Sequence, residues 1–289
     1  MVTVASKRIG FIGLGAMGLP MAQNLIKNGF ELHITANRNR IPVDLLAGAG
    51  ATEHSSVGEV VSHCDVLITI LPTDREMESV LLSDEVLSSV KPGMILIEMT
   101  SGSPAMMKKV GAVYSAKGAQ VLDGPVSGGT IGAEQGTLTV MAGGETRVLE
   151  QVLPILEAMA KNIYPVGAIG AGKAIKAINQ MLAGIHMVAS AEAAALAEKL
   201  GVDSSVLKQV IGSSSGASWM FMNKLDSLTN RNFNPGFKLS LMKKDVQIAV
   251  NEAADLELPL AQAALEMYKS AERDSGDLDF SAIGKSILS

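Results

Sequence analysis

A lysine and two amides share one face of a long predicted helix. The segment 170–200 begins G-A-G-K-A-I-K-A-I-N-Q and is rich in good helix formers. Lys176, Asn179 and Gln180 stand at positions i, i+3 and i+4, so their side chains point the same way. A lysine amine gives or takes a proton, and amides orient a polar substrate. The pattern predicts that Lys176 moves a proton in a hydride-transfer reaction while the amides position the substrate.

A glycine-rich turn near the start of the chain could hold a dinucleotide. An apolar strand at 9–12 leads into G-L-G-A-M-G, and a helix follows over about 17–28. In this pattern the first glycine permits the tight turn, the second lets the backbone approach a pyrophosphate, and the third lets the helix pack on the strand. The helix N-terminus attracts the anion. A merely structural turn is the alternative. The predicted cofactor contacts here are Gly13, Leu14, Gly15, Ala16, Met17 and Gly18.

The segment after the second predicted strand, 31–35, bears on the choice of cofactor. An acidic residue at this place would bind the ribose 2′-hydroxyl of NAD. The sequence instead reads Asn37-Arg38-Asn39-Arg40, and either arginine could hold a 2′-phosphate with two hydrogen bonds. The segment therefore favours NADP over NAD, with Asn37 and Arg38 as contacts. A solvated loop is the alternative.

Three further loops follow predicted strands. Leu71-Pro72 ends the apolar run at 66–71, and Thr100-Ser101 follows the apolar run at 94–98. Ligands of parallel sheets bind beyond such strand ends. We expect both loops to line the cofactor, unless they are ordinary turns. Ser127-Gly128-Gly129 offers a hydroxyl and unhindered backbone N–H groups, which suit a carboxylate or another oxyanion, and a plain turn is the alternative. Ser127 has no neighbouring base, so it is not predicted to be a nucleophile.

The elements that position these residues are of two kinds. Strands alternate with helices as far as Pro165, and only helical patterns follow. This predicts an α/β fold in which a Rossmann-like doubly wound sheet precedes an all-α C-terminal domain, joined by the long helix. The predicted domains are a dinucleotide-binding domain at 1–166 and a helical substrate and oligomerisation domain at 167–289. Lys243-Lys244-Asp245 lies inside a helix predicted at 238–255 and could reach the active site or be surface charge, of which the sequence alone favours surface charge.

Composition excludes several classes of protein. The 289 residues carry a net charge of −5 and no basic tract, which argues against a nucleic-acid partner. A single cysteine and the lack of any apolar run of about 18 residues predict a cytoplasmic protein without a membrane partner. The histidines at 33, 54, 63 and 186 are scattered and lack metal-ligand spacing, so neither a metal site nor a catalytic histidine is expected.

Taken together, these motifs resemble the β-hydroxyacid dehydrogenases related to 3-hydroxyisobutyrate dehydrogenase and tartronate semialdehyde reductase. The segment 11–24 is similar to the family's N-terminal signature, and 123–129 to its substrate loop, with Gly124 where alanine is usual. The segment 170–180 is similar to its catalytic helix and 243–245 to its C-terminal Lys-Asp motif. Four motifs in the family's order cover nearly the whole chain.

The resemblance implies an NAD(P)-dependent oxidoreductase that interconverts a small β-hydroxyacid and its aldehyde or keto form, in an active site between the two domains. It implies that Lys176 is the general acid and base, that Ser127, Gly128 and Gly129 anchor a substrate carboxylate, and that Asn179 or Gln180 supplies the nearby amide. Gln180 replaces a second asparagine of some members.

The resemblance further implies cofactor contacts from Met17, Leu71, Ser101 and Lys244, and a homodimer or homotetramer. A catalytically inactive binding protein and an imine reductase are the alternatives. Lys176 disfavours both of them, and the S-G-G turn also disfavours the imine reductase.

Overall fold

The computed structural model describes residues 7–288. Residues 1–6 and 289, which complete the predicted domains 1–166 and 167–289, lie outside the described residues. Within the described residues the chain divides into two compact units, and the division falls after Lys176. The predicted boundary between residues 166 and 167 stays a prediction.

The first unit is built on one nine-stranded sheet. The strands are β1 (Ile9–Ile12), β2 (Leu32–Thr35), β3 (Thr52–His54), β4 (Val66–Thr69), β5 (Ile95–Glu98), β6 (Gln120–Asp123), β7 (Val126–Ser127), β8 (Leu138–Gly144) and β9 (Ala160–Gly167). Their spatial order is β3-β2-β1-β4-β5-β6-β8-β7, and β9 pairs with β8.

The strand order gives the sheet a topological switch point. The strands from β3 to β6 in that order are parallel, whereas β8 runs antiparallel to β6 and β7. Strands β2 and β3 lie on one side of β1, and β4, β5 and β6 lie on its other side. The switch point is therefore between β1 and β4. In open parallel sheets ligands bind at such a point, outside the carboxyl ends of the strands. The topology confirms the predicted Rossmann-like doubly wound sheet.

Burial explains which strands the sequence reveals. Every residue of β1, β4 and β5 is buried, as expected for parallel strands covered on both faces. Edge strand β3 reads T-E-H and has no buried residue, so no apolar run marks it. Strand β3 is accordingly not among the elements that the sequence predicts.

Helices cover both faces of the sheet, and each face has its own apolar cluster. Ser56, Thr73, Ser83 and Ser103 cap four of these helices by accepting backbone N–H groups. The helices are α1 (Gly18–Lys27), α2 (Ile41–Gly48), α3 (Val57–His63), α4 (Asp74–Leu81), α5 (Asp84–Ser89), α6 (Pro104–Ala116), α7 (Gly129–Gln135) and α8 (Thr146–Glu157).

The long helix, α9 (Ala171–Lys199), has 29 residues and extends about 40 Å. It ends before Gly201, whose φ of +69° favours glycine. Within residues 7–288, no helix combines the length and the apolar character that crossing a membrane requires.

The second unit is helical, as predicted. Its further elements are α10 (Ser204–Gly212), α11 (Trp219–Thr229), α12 (Leu239–Glu252), α13 (Pro259–Ser275) and a 3-10 helix (Phe280–Ser286). Leu225, Met242 and Tyr268 lie in its buried core. Ser218 ends a serine-rich stretch that is typical of a polar turn, which hides the start of α11 in the sequence. That serine is in fact the helix cap, since its Oγ accepts the N–H of Phe221 at 3.1 Å.

Candidate active site

The glycine turn begins where β1 ends. Gly13 has a φ of +103°, and a Cβ at this position would overlap the carbonyl oxygen of Ile70. A Cβ on Gly18 would overlap the carbonyl oxygen of Gly13. Gly15 differs, because no atom lies within 4 Å of where its Cβ would stand. Packing within the protein therefore requires the first and third glycines of the turn but not the second.

The start of α1 fits an anion. The helix has no side-chain cap and no acidic residue in its first turn, so its first N–H groups are not satisfied by such a cap. Gly15 and Ala16, just before it, are exposed. This place suits the pyrophosphate of a dinucleotide, because the backbone is exposed, the space beside Gly15 is open and a helix begins here.

The two arginines after β2 have different surroundings. The guanidinium of Arg40 donates to both carboxylate oxygens of Glu53, at 2.9 and 3.0 Å, and to Asp44 at 3.0 Å. These partners raise the pKa of Arg40, and Arg40 lowers the pKa of Glu53. Asn37 and Arg38 are exposed. Among residues 7–288, carboxylates bind the guanidinium of Arg40 and none binds that of Arg38.

The loops after β4 and β5 are hydrogen-bonded to each other. The backbone N–H of Leu71 donates to Oγ1 of Thr100 at 2.8 Å. Thr100 is fully buried, whereas Leu71 and Ser101 are half-buried and Pro72 is exposed. Thr100 thus fixes the position of the neighbouring loop residues from within the protein.

Asp123, at the end of β6, anchors the start of α9. Its Oδ1 accepts the N–H of Gly170 at 2.8 Å, and its Oδ2 accepts the N–H of Lys173 at 2.9 Å. Burial raises the pKa of this carboxyl, although the Gly170 hydrogen bond opposes that shift. The carboxylate satisfies N–H groups of the first turn that have no partner within the helix.

The S-G-G turn joins β7 to α7. Ser127 pairs with Thr139 in the sheet and is half-buried. Gly128 and Gly129 are exposed, with φ of +133° and +64°. Their conformation favours glycine and leaves the backbone open to a ligand.

Lys173, which the sequence analysis did not single out, is fully buried in the first turn of α9. Its ammonium donates to the carboxylate of Glu98, to the Glu98 carbonyl oxygen at 3.2 Å and to the Thr100 carbonyl oxygen. Glu98 is fully buried as well. The only available signal was a glutamate at the end of an otherwise apolar strand and a lysine on the same helix as Lys176.

Lys176 follows one helical turn after Lys173. Its side chain is buried, at 7% exposure. Residues three apart on a helix are neighbours on its surface, so Lys176 lies beside the anchored first turn. The structure therefore gives Lys176 a defined environment instead of an exposed surface position.

The two amides of α9 belong to a polar chain in the second unit. Nδ2 of Asn179 donates to Oε1 of Gln180 at 3.0 Å, and Nε2 of Gln180 donates to Oδ2 of Asp245 at 2.7 Å. The ammonium of Lys244 lies 2.9 Å from Oδ1 of Asp245. Asp245 is only 2% exposed, so the interpretation of Lys243-Lys244-Asp245 as surface charge is wrong for this aspartate.

Three of the scattered histidines meet in space. Nδ1 of His33 lies 2.9 Å from Nε2 of His54, and the rings of His54 and His63 stack at 4.6 Å between centroids. Glu31 lies 3.0 Å from the other nitrogen of His33. No group of three or more His, Cys, Asp or Glu residues in the described part of the chain could hold a metal ion.

The environment of His54 predicts that the folded protein loses stability in acid. Burial, with the charges of His33 and His63, lowers the pKa of His54, although Glu59 opposes the shift. A histidine with a lowered pKa in the folded state resists protonation, so its contribution to stability is lost as the pH falls through about 6.5. When the pH is lowered from about 7 to about 5.5, we expect the melting temperature of His54→Gln to fall less than that of the wild type. Melting curves across that range measure this.

The exposed His186 provides the control for this prediction. His186→Gln should keep the wild-type dependence of the melting temperature on pH. If the melting temperature of His54→Gln depended on pH as that of the wild type does, the assignment of acid sensitivity to His54 would be contradicted.

Two family models match the chain in succession. Residues 8–167 match a model described as the NAD binding domain of 6-phosphogluconate dehydrogenase. Residues 170–287 match a model described as the NAD-binding region of NADP-dependent 3-hydroxyisobutyrate dehydrogenase.

Characterised relatives are similar over nearly their full length. An NAD-dependent L-serine dehydrogenase of Pseudomonas aeruginosa is 36% identical, with 96% of this chain and 97% of the relative covered. A 2-hydroxy-3-oxopropionate reductase of Escherichia coli is also 36% identical, with 96% and 95% covered. The structure of a Mycobacterium tuberculosis 3-hydroxyisobutyrate dehydrogenase with L-serine superimposes with a TM-score of 0.90 at 34% identity, covering 98% of this chain and 99% of the other.

Proposed function

Because the chain belongs to the β-hydroxyacid dehydrogenase family, we propose that it interconverts a small β-hydroxyacid and its aldehyde or keto form with a nicotinamide cofactor. Lys176 is the general acid and base of this reaction. The observation that carries the proposal is the burial of Lys176, one turn beyond a helix start anchored at the carboxyl ends of β5 and β6.

The cofactor binds along the carboxyl ends of β2, β1, β4 and β5. Gly13, Leu14, Gly15, Ala16, Met17 and Gly18 surround its pyrophosphate, and Asn37 and Arg38 contact the adenosine ribose. Leu71, Pro72 and Ser101 line its nicotinamide half, while buried Thr100 acts by holding Leu71. Lys244 is a further cofactor contact. The bound cofactor accepts or supplies the hydride.

Lys176 donates and accepts the proton. In reduction its ammonium polarises the carbonyl and donates a proton to the oxygen. In oxidation the neutral amine removes the hydroxyl proton. Ser127 and the open backbone at Gly128 and Gly129 hold the substrate carboxylate.

Asn179 orients the reacting oxygen. Gln180 is assigned a supporting part in substrate binding, because its amide links Asn179 to the buried Asp245.

The substrate is a short carboxylate with an oxygen function on its third carbon. L-Serine and 2-hydroxy-3-oxopropionate appear in the names of two relatives, and both are carboxylates with oxygen on the third carbon. The test is oxidation of 3-hydroxyisobutyrate, L-serine and L-threonate, and reduction of tartronate semialdehyde, with each nicotinamide cofactor. We expect turnover of at least one. A protein that binds the cofactor but turns over none of them would favour an inactive binding protein, and turnover of a cyclic imine alone would favour an imine reductase.

We propose NADP as the preferred cofactor, with Arg38 holding its 2′-phosphate. Glu53 and Asp44 already occupy the fork of Arg40, which leaves Arg38 as the better phosphate ligand of the two. A charged hydrogen bond contributes about 1.5–3 kcal/mol, so Arg38→Gln should raise the Kd of NADP about tenfold or more. The Kd of NAD should change little. Titration of reduced cofactor fluorescence measures both constants.

Arg40→Gln is the matched control for Arg38→Gln. It removes contacts to Glu53 and Asp44 and should affect NAD and NADP similarly. Equal losses of both cofactors in Arg38→Gln would contradict the assignment of the 2′-phosphate to Arg38.

We also propose that the protein forms a homodimer or homotetramer. Large apolar side chains of the second unit are exposed on α9 and α10, among them Leu182, Leu196, Val206 and Val210. Association through these helices would remove such side chains from water.

A further inference from the structure

The ammonium of Lys173 has a complete set of acceptors. It is fully buried and donates to the carboxylate and carbonyl oxygens of Glu98 and to the carbonyl oxygen of Thr100. A lysine ammonium has three N–H donors, so these three acceptors satisfy it. This side chain is therefore held at a single place at the end of β5.

Glu98 connects that place to the neighbouring strand. Its Oε1 accepts the N–H of Thr100 at 3.1 Å and the hydroxyl of Thr69 at 3.4 Å. Thr100 in turn accepts the N–H of Leu71 at 2.8 Å. The carboxylate thus joins the ends of β4 and β5, which carry proposed cofactor contacts, to the first turn of α9.

Stability alone does not account for this ion pair. Removing two charges from water is costly, and replacing a buried pair with apolar side chains is often neutral or stabilising. What the pair provides is a fixed direction, because each charged group is held by several hydrogen bonds. Asp123 fixes the backbone of the same turn through Gly170 and Lys173.

The surroundings leave this turn little room to shift. A Cβ on Gly172 would stand 2.6 Å from Oδ2 of Asp123 and 3.1 Å from Cδ of Pro125. Near Gly170, the aliphatic part of Lys108 on α6 lies 3.4 Å from where a Cβ would stand. Charged groups of the described residues at this turn include Glu98, Asp123 and Lys108 besides Lys173 itself. On the helix face that carries Lys176, Gln180 follows one turn later and is bonded to Asp245, which pairs with Lys244.

We propose that the Lys173–Glu98 pair is a positioning pair that sets the placement of Lys176 for proton transfer. This inference rests on the proposed function of Lys176. The pair acts through the helix and does not touch the substrate. The pair consists of opposite charges, so removing either partner would leave one unpaired charge a single helical turn from Lys176.

Single substitutions reveal the electrostatic part of this role. Lys173→Met leaves the Glu98 carboxylate unpaired, which favours the ammonium form of Lys176. The acid limb of the pH–rate profile for oxidation should then move up by roughly one pH unit. Glu98→Gln leaves the opposite charge unpaired and should move the limb down. A merely structural role would not produce opposite displacements.

The double variant Lys173→Met/Glu98→Gln tests positioning without an unpaired charge. The amide oxygen introduced by Glu98→Gln still accepts the N–H of Thr100, so we expect the KM of the cofactor to stay within about twofold and the pH limb to return to its wild-type place. The kcat should nevertheless fall by at least about tenfold, which is less than the whole contribution of a general acid or base. Lys173→Gln retains an N–H donor and should lose less activity than Lys173→Met.

Each variant is assayed well below its melting temperature, and the exposed Lys109–Glu78 pair is the control. Lys109→Met and Glu78→Gln should leave kcat and the pH limb unchanged. A folded double variant with wild-type kcat would overturn the proposal, as would single variants whose limbs do not move in opposite directions. If neither the double variant nor Lys173→Gln folds, the pair is required for folding, and the positioning role is overturned as well.

The outcome for the pair is separable from the outcome for the proposed function. Absence of turnover in the wild type would contradict the proposed function itself. Wild-type turnover that Lys176→Ala abolishes, but that the pair variants leave unchanged, would contradict only the positioning role.

Discussion

Lys176→Ala should lower the turnover of the hydroxyacid by at least about 100-fold, because general acid–base catalysis contributes about 10²–10⁴-fold. Without the amine, neither donation of a proton to the carbonyl oxygen nor its removal from the hydroxyl has a protein group to perform it. The affinity for the cofactor should stay close to that of the wild type, since the glycine turn and the strand-end loops are unchanged. Steady-state kinetics and cofactor titration measure the two effects separately.

Lys199→Ala is the matched control for this substitution. Lys199 is an exposed lysine in the last turn of the same helix, so its loss changes the charge of α9 without changing the proposed site. Turnover in Lys199→Ala should equal that of the wild type. If Lys176→Ala kept turnover within a fewfold of the wild type, Lys176 would not be the acid and base.

Alanine at Gly15 and alanine at Gly18 should have opposite consequences. The protein leaves open space for a Cβ on Gly15, so Gly15→Ala should fold with wild-type stability. The added methyl group would stand where a pyrophosphate approaches the backbone, and the cofactor Kd should rise at least about tenfold, equivalent to about 1.4 kcal/mol. Gly18→Ala forces a methyl group into the carbonyl of Gly13 and should reduce stability by about 1–3 kcal/mol or more.

Urea denaturation and cofactor titration distinguish the two outcomes. Gly48→Ala, at the end of α2, is the control, because its Cβ also meets open space and it lies outside the proposed site. It should change neither stability much nor cofactor affinity. A Gly15→Ala protein that binds the cofactor as tightly as the wild type would exclude the glycine turn as the pyrophosphate site.

The sequence made the local parts of the site predictable. The turn at 13–18 lies between a buried strand and a helix. The atoms that require glycine at Gly13 and Gly18 belong to the turn itself or to Ile70, at the end of the adjacent strand. The face shared by Lys176, Asn179 and Gln180 follows from helical periodicity alone. Strands β1, β4 and β5 were recognisable because burial on both faces demands an unbroken apolar run.

The misjudged residues are polar groups whose partners are distant in the chain. The aspartate of Lys243-Lys244-Asp245 resembled a charge on a helix surface, yet it accepts a hydrogen bond from Gln180, 65 positions away. His33 and His54 lie 21 positions apart and meet because β2 and β3 pair in parallel. Nothing in the local composition distinguishes such side chains from solvated ones.

The sequence by itself determined the Rossmann-like sheet, the helical second half and the helix that carries Lys176. Apolar periodicity and glycine spacing report those features, because they express short-range constraints on the backbone. Only the tertiary structure decided that Lys173 and Glu98, 75 positions apart, form a fully buried pair. It also decided that, in the described part of the chain, carboxylates bind the guanidinium of Arg40 but not that of Arg38. Which polar group meets which depends on how the strands are ordered in the sheet, and no short stretch of the chain encodes that order.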